Sequence, residues 1–204
     1  MRLMLALIAG AVMAAGATAP RARPSDPRGD RQRPAYAPGE VPAELAPAVG
    51  RAEQALQTLQ TALAGRLREE LSRNGPAAAV KVCREEARAI TERVAKEQGI
   101  DIGRTSHRLR NPGNAARPWA EPFVLEAAGR KAAEVTARVV DLGDRVGVLR
   151  PIGTAEMCTR CHGQEEAVRP AIGAILDAAY PEDHAIGFAV GDLRGWMWAE
   201  APKR

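Results

Sequence analysis

The chain has 204 residues, with 29 Lys and Arg against 25 Asp and Glu, and only three Cys and three His. The net charge of +4 and pI of about 9.3 make it basic. The arginines are spread along the chain and matched by acids outside one Pro/Arg-rich stretch, so the balance reads as a solvated surface and excludes a nucleic-acid footprint.

Arg2 opens the chain with a positive charge, Leu3 to Ala15 is an uncharged apolar run, and Ala15-Gly16-Ala17 fits a small-x-small cleavage site. Residues 1–17 therefore read as a secretory signal. The run is shorter than the roughly 20 apolar residues of a membrane span, so no stable span is expected after cleavage. An uncleaved N-terminal anchor is the alternative. The signal predicts a periplasmic protein, which meets no genome, and nucleic acid is excluded as a partner on that ground too. Residues 18–42 are rich in Pro, Arg, Asp and Gly with almost no large apolar side chain, and are expected to form a disordered linker. Residues 43–204 remain for one domain of about 160 residues, enough for a real core.

Leu45, Val49, Ala52, Leu56, Leu59, Leu63, Leu67 and Leu71 recur at three- and four-residue steps and predict a long helix. Asn74-Gly75-Pro76 should stop it, Gly as a left-handed cap and Pro as the first residue of the next helix. That second helix should run to about Gln98 and end at Gly99, with Val80, Cys83, Ala87, Ile90 and Val94 on its apolar face. Ile100 to Asn111 reads as a strand and turn, and a short helix follows near Trp119 to Ala128. Val135 to Asp141 and Arg145 to Pro151 form a hairpin pattern around Gly143-Asp144. Glu165 to Ala179 is a helix, and Ala185 to Val190 with Leu193 to Ala199 predict a final hairpin around Gly191-Asp192. The layout is α+β: two long N-terminal helices, then a small antiparallel sheet with helical insertions. Trp119, Phe123, Tyr180, Phe188, Trp196 and Trp198 concentrate in the second half, as pocket lining or as ordinary core.

Between the two hairpins stands Cys158-Thr159-Arg160-Cys161-His162, the sharpest chemical signal in the chain. Two cysteines three positions apart on a helical turn point to one side. Each thiol can add across one vinyl group of the same porphyrin, and a histidine directly behind them can become the proximal iron ligand. One covalent haem c is therefore expected on Cys158 and Cys161, with His162 on the iron. Zinc would need about four ligands, and no second Cys/His pair is present. A thioredoxin-like pair would need a βαβ context that is missing here. A plain disulfide is the remaining alternative. Haem attachment in bacteria occurs outside the cytoplasm, the compartment that the signal also demands.

The second axial ligand is open on residues alone. Cys83 lies on an apolar helix face and is either an iron ligand or a buried free thiol. His107, between Ser106 and Arg108, reads as a surface or satisfied histidine. Met157 belongs to the proximal turn, Met197 and His184 are weaker candidates, and a water-bound or open site is the last option. Arg104, Arg108, Arg110 and Arg194 can pair with haem propionates or serve as surface charge.

Four stretches together resemble a known family: Gly75-Pro-Ala-Ala-Ala-Val-Lys-Val-Cys83, Gly103-Arg-Thr-Ser-His-Arg-Leu-Arg-Asn-Pro112, Pro151-Ile through Cys158-Thr-Arg-Cys-His-Gly163, and Tyr180-Pro through Gly187-Phe-Ala-Val-Gly-Asp-Leu-Arg-Gly195. Over roughly residues 45–200 they are similar to the single-haem c-type domain family of cyanobacteria and proteobacteria. Its members occur as exported proteins and as sensor domains of histidine kinases and chemotaxis receptors. The resemblance implies a PAS-like fold, a central antiparallel sheet with flanking helices around the haem. It also implies that Cys83 supplies the second axial ligand.

Two functions follow as expectations. One is a redox or diatomic-gas sensor module acting through a separate signalling or redox protein partner. The other is a soluble periplasmic electron-transfer cytochrome. A thiolate ligand stabilises ferric iron and lowers the potential, which suits the sensor better. No nucleophile–base pair and no phosphate loop is evident, so the chain is read as a non-enzyme, with weak haem peroxidase activity as a further alternative.

Overall fold

The structure, a computed structural model, describes residues 33–204. The expected signal 1–17 and residues 18–32 of the expected linker lie outside the described residues.

The first helix, α1 (Ala46–Lys81), carries the apolar stripe predicted for it: Leu45, Ala52, Leu56, Leu59 and Leu71 are buried. The break also falls where the sequence places it. Gly75 leaves helical geometry at φ 77°, and Pro76 opens the segment beyond the kink. Val82–Glu86 then widens into one π turn, closed by the Ala87 N–H on the Val82 carbonyl, before α2 (Ala87–Gln98) continues. Gly99 caps α2 in the left-handed conformation. The chain passes through β2 (Asp101–Thr105), α3 (Glu121–Glu126), β3 (Arg138–Asp141), β4 (Arg145–Gly153), α4 (Glu156–His162), α5 (Glu165–Ala179) and β5 (Leu193–Pro202), with β1 (Ala35–Tyr36) ahead of α1.

All strands pair antiparallel in the order β1-β3-β4-β5-β2. The expected α+β, PAS-like layout is present. One sheet face packs Ile102, Val146, Val148, Met197, Ala199 and Ala201 on α1 and α2. Ala48, Ala52 and Ala55 are small enough to bring α1 close, while Leu56 and Leu59 fill the space beside them. Each fully buried leucine there contributes about 1.5–3 kcal/mol. The other face packs Val140, Leu149, Leu193 and Trp196 on Trp119, Ala120 and Val124. A third cluster, Val80, Val168, Ile172, Leu176 and Tyr180, joins α5 to the segment beyond the kink.

Two expectations change. Part of the linker is structured: Ala35 and Tyr36 pair with Val140 and Val139, because the edge of β3 offers free backbone groups. The final hairpin does not form. β4 and β2 occupy both edges of β5, so residues 185–190 have no edge to join. Their backbone turns at Gly187, φ 87°, and bonds to the end of α4 instead: Gly187 N–H to the Gly163 carbonyl at 2.7 Å and Phe188 N–H to the His162 carbonyl at 2.9 Å. Among the described residues, no helix is long and apolar enough to cross a membrane.

Candidate haem site

The Cys158–His162 pentad folds as the helical turn its spacing predicts, within α4. Cys158, Cys161 and Cys83 are all free thiols. Cys161 packs beside the third cluster, and burial pushes its thiol up to about 11, so it is neutral. Cys83 sits in the π turn, where the widened backbone interrupts a long helix beside a cavity.

His162 is held by a ring hydrogen bond: its Nδ1 lies 2.7 Å from the Ala185 carbonyl oxygen. A carbonyl only accepts, so the proton sits on Nδ1 and the Nε2 lone pair is left for a metal. Burial holds the ring pKa well below the usual histidine value, and the positive charges of Arg194 and Arg110 lower it further. The imidazole is therefore neutral, as a ligand must be.

Cys83 and His162 line the same cavity of about 670 Å³, together with Gly103, Arg104, Ser106, Ile152, Tyr180, Ala185 and Arg194. Of the aromatic residues singled out in the sequence, Tyr180 is in this wall, whereas Trp119, Phe123, Trp196 and Trp198 pack in the core on the second sheet face. Gly195 lets the chains meet closely at the cavity, where a Cβ would stand 2.4 Å from the Thr105 carbonyl oxygen.

The wall is strongly basic. Arg84, Arg88, Arg104, Arg108, Arg110 and Arg194 line it against Glu92, which is taken up by Arg88 at 2.7 Å. Burial lowers the pKa of both Arg104 and Arg194. Among the described residues neither is paired with a carboxylate. Arg194 Nε is buried without a hydrogen-bond partner. Inward guanidinium groups without acids, one carrying an orphaned N–H, fit a ligand bearing carboxylates. A propionate-bearing porphyrin has that chemistry, and the neutral imidazole fits its iron; Cys158 and Cys161 do not line the cavity but stand on the same helical turn as His162.

The other two arginines singled out in the sequence, Arg108 and Arg110, have different work. Arg108 lies 4.6 Å over the Phe188 ring and donates to the His184 carbonyl at 2.8 Å. Arg110 donates to the Cys161 carbonyl and pairs with Asp183. His107 does not line the cavity that holds Cys83. It lines a second one with His184, Gln164 and Glu165, and stands edge-on to Phe188 at 6.1 Å. It is half-buried, burial lowers its pKa, and its Nδ1 has no hydrogen-bond partner among the described residues, so Nδ1 is not satisfied. Met197 is buried in the core between the sheet and α1. Sequence reasoning passed over Asp183 and the Ala185 carbonyl. Their partners lie 73 and 23 residues away in the chain, and only the Tyr180–Gly195 stretch of the resemblance pointed to that loop.

Among curated proteins no relative matches. A solved structure, that of the cyanobacterial haem protein Tll0287, superposes with a TM-score of 0.54 at 26% sequence identity, covering 80% of this chain and 98% of that one. Residues 43–202 match the Tll0287-like sequence family. That span takes in both cavity walls, the π turn of Cys83 and the Cys158–His162 turn, and the chain belongs to the Tll0287-like family.

Proposed function

We propose that this chain is an exported c-type haem protein that senses redox state or a diatomic gas and signals through a protein partner. Cys158 and Cys161 would hold one haem covalently, and His162 and Cys83 would bind its iron. Arg104 and Arg194 take the propionates. The observation that carries the reading is the wall of a single cavity: a neutral His162 with Nε2 free, Cys83 in a π turn, and two acid-free guanidinium groups. The solved relative is itself a haem protein.

Bound there, the haem supplies a one-electron iron centre that accepts small axial ligands. The chain's own residues make that centre a switch. With haem bound, a thiolate at Cys83 would favour the ferric state, and its hold would weaken on reduction. Release frees the π turn that joins α1 to α2, a local change biasing a packed element.

Protein exported with the haem-attachment machinery is expected to keep its haem through acid-acetone extraction, and the Cys158→Ala/Cys161→Ala double variant to lose it. Covalent haem remaining in the double variant would sink the assignment. Redox titration with optical spectra then separates the roles. A potential well below zero, with carbon monoxide binding to the ferrous protein, is the sensor outcome. A positive potential with no ligand binding in either state supports an electron-transfer cytochrome.

A further inference from the structure

Behind His162 lies a buried ion pair that the site chemistry above does not use. Arg110 Nε donates to Asp183 Oδ2 at 2.9 Å, with side chains 11% and 6% exposed. Arg110 Nη2 donates to the Cys161 carbonyl oxygen at 2.7 Å and reaches the Ala185 carbonyl oxygen at 3.3 Å. Asp183 Oδ1 accepts the Ala185 N–H at 2.7 Å. Both polar groups of Ala185 are thus tied to the pair, and its carbonyl oxygen is the one that accepts His162 Nδ1–H at 2.7 Å. A single guanidinium spans Cys161, in the attachment turn, and the acceptor that orients the histidine behind it.

We infer that Arg110 and Asp183 are positioning residues that set the donor strength of His162, resting on the reading of His162 as the iron ligand. Asp183 fixes the peptide plane of Ala185 and so the direction of its carbonyl. Arg110 draws electron density from the same oxygen. An acceptor shared with a cation takes less of the His162 proton, and the ring stays closer to neutral imidazole than to imidazolate. A less anionic ligand favours ferric iron less, so the cation keeps the potential above the value that the carbonyl alone would set. Asp183 offsets part of that charge.

The two residues therefore have opposite signatures, which simple loosening of the site does not produce. In exported holoprotein, Arg110→Gln is expected to shift the midpoint potential down, and Asp183→Asn to shift it up. Arg110→Lys keeps the charge without the fork and is expected to recover part of the first shift. Resonance Raman of the ferrous protein reads the bond itself: the iron–histidine stretch should rise in Arg110→Gln and stay near wild type in Arg110→Lys. Shifts of one sign in both variants, or an unchanged stretch in Arg110→Gln, overturn the inference. Where Arg110→Gln yields no holoprotein, Asp183→Asn decides alone: an upward shift upholds the inference, and an unchanged or lower potential overturns it. Wild-type protein without covalent haem, or with a stretch insensitive to His162→Ala, would instead overturn the reading on which it rests.

Discussion

His162 and Cys83 face one cavity from supports of different kinds. His162 ends a short helix whose carbonyls are claimed by Gly187 and Phe188, and its ring bonds to a peptide tied on both polar groups to the buried Arg110–Asp183 pair. Cys83 sits in a π turn whose outer end is held by Arg66. That guanidinium grips the Glu86 carboxylate at 2.8 and 2.9 Å, with side chains 30% and 43% exposed. The first support is dry and ties together segments distant in the chain. The second faces water, where screening leaves an ion pair little net strength. The difference shows which side of the cavity is held more firmly. If the proposed switch operates, it should work by releasing the element with the smaller restoring force, which here is the π turn.

Removing each ligand in turn tests this contrast with the largest expected effect. In His162→Ala both the low-spin ferric spectrum and the ferrous iron–histidine stretch should be lost. In Cys83→Ala the proximal bond should survive, and the ferric spectrum alone should convert to high spin or to another ligand set. An unaltered ferric spectrum in Cys83→Ala would make Cys83 a core thiol and remove the mobile side from the comparison.

A buried carboxylate elsewhere calibrates the pinned side. Glu200 accepts from Arg117 at 2.7 and 3.1 Å and from Trp119 Nε1 at 2.8 Å, with its side chain 6% exposed. Burial raises its carboxyl pKa, but the bonds from Arg117 and Trp119 outweigh burial and hold it below the usual value. A lowered native-state pKa stabilises the fold above the unfolded-state value, and that gain fades as pH falls through the native one. Glu200→Gln should cost about 2–3 kcal/mol near neutral pH by denaturant unfolding. It should also flatten the decline of stability from about pH 5 to pH 3. An equally steep acid decline in the variant would assign that titration to other groups.

The smallest effect is expected at the exposed clamp. Glu86→Gln should leave the unfolding midpoint indistinguishable from wild type, since the pair is solvated. It should nevertheless speed carbon monoxide binding to the ferrous holoprotein, because the turn carrying Cys83 has lost its outer hold. A slower or unchanged binding rate would show that the turn is held by the packing of Val82 and Ala87 rather than by the clamp.

What was legible in the sequence is what short-range chemistry encodes. Asn74-Gly75-Pro76 breaks the helix because φ of 77° suits glycine and proline opens a helix well. The Cys158–His162 turn is local as well, its three side chains lying within five residues. Ala185 to Val190 also looked local, as half of a hairpin, and was not: both edges of β5 were taken, so those backbone groups bonded to the end of α4. The placement of His107 away from the Cys83 cavity followed from packing on Phe188, not from its neighbours in the chain.

The sequence by itself determined the helices, their stops, the turn that presents Cys158, Cys161 and His162, and the α+β class. Tertiary structure alone decided that Cys83 shares a cavity with His162, that Arg104 and Arg194 pair with no acid among the described residues, and that Arg110 reaches Asp183. Propensity, capping and turn chemistry act over three or four residues, so they can be read along the chain. Which buried charge finds which partner depends on the surfaces left vacant once the sheet has closed, and no short window of sequence contains that information.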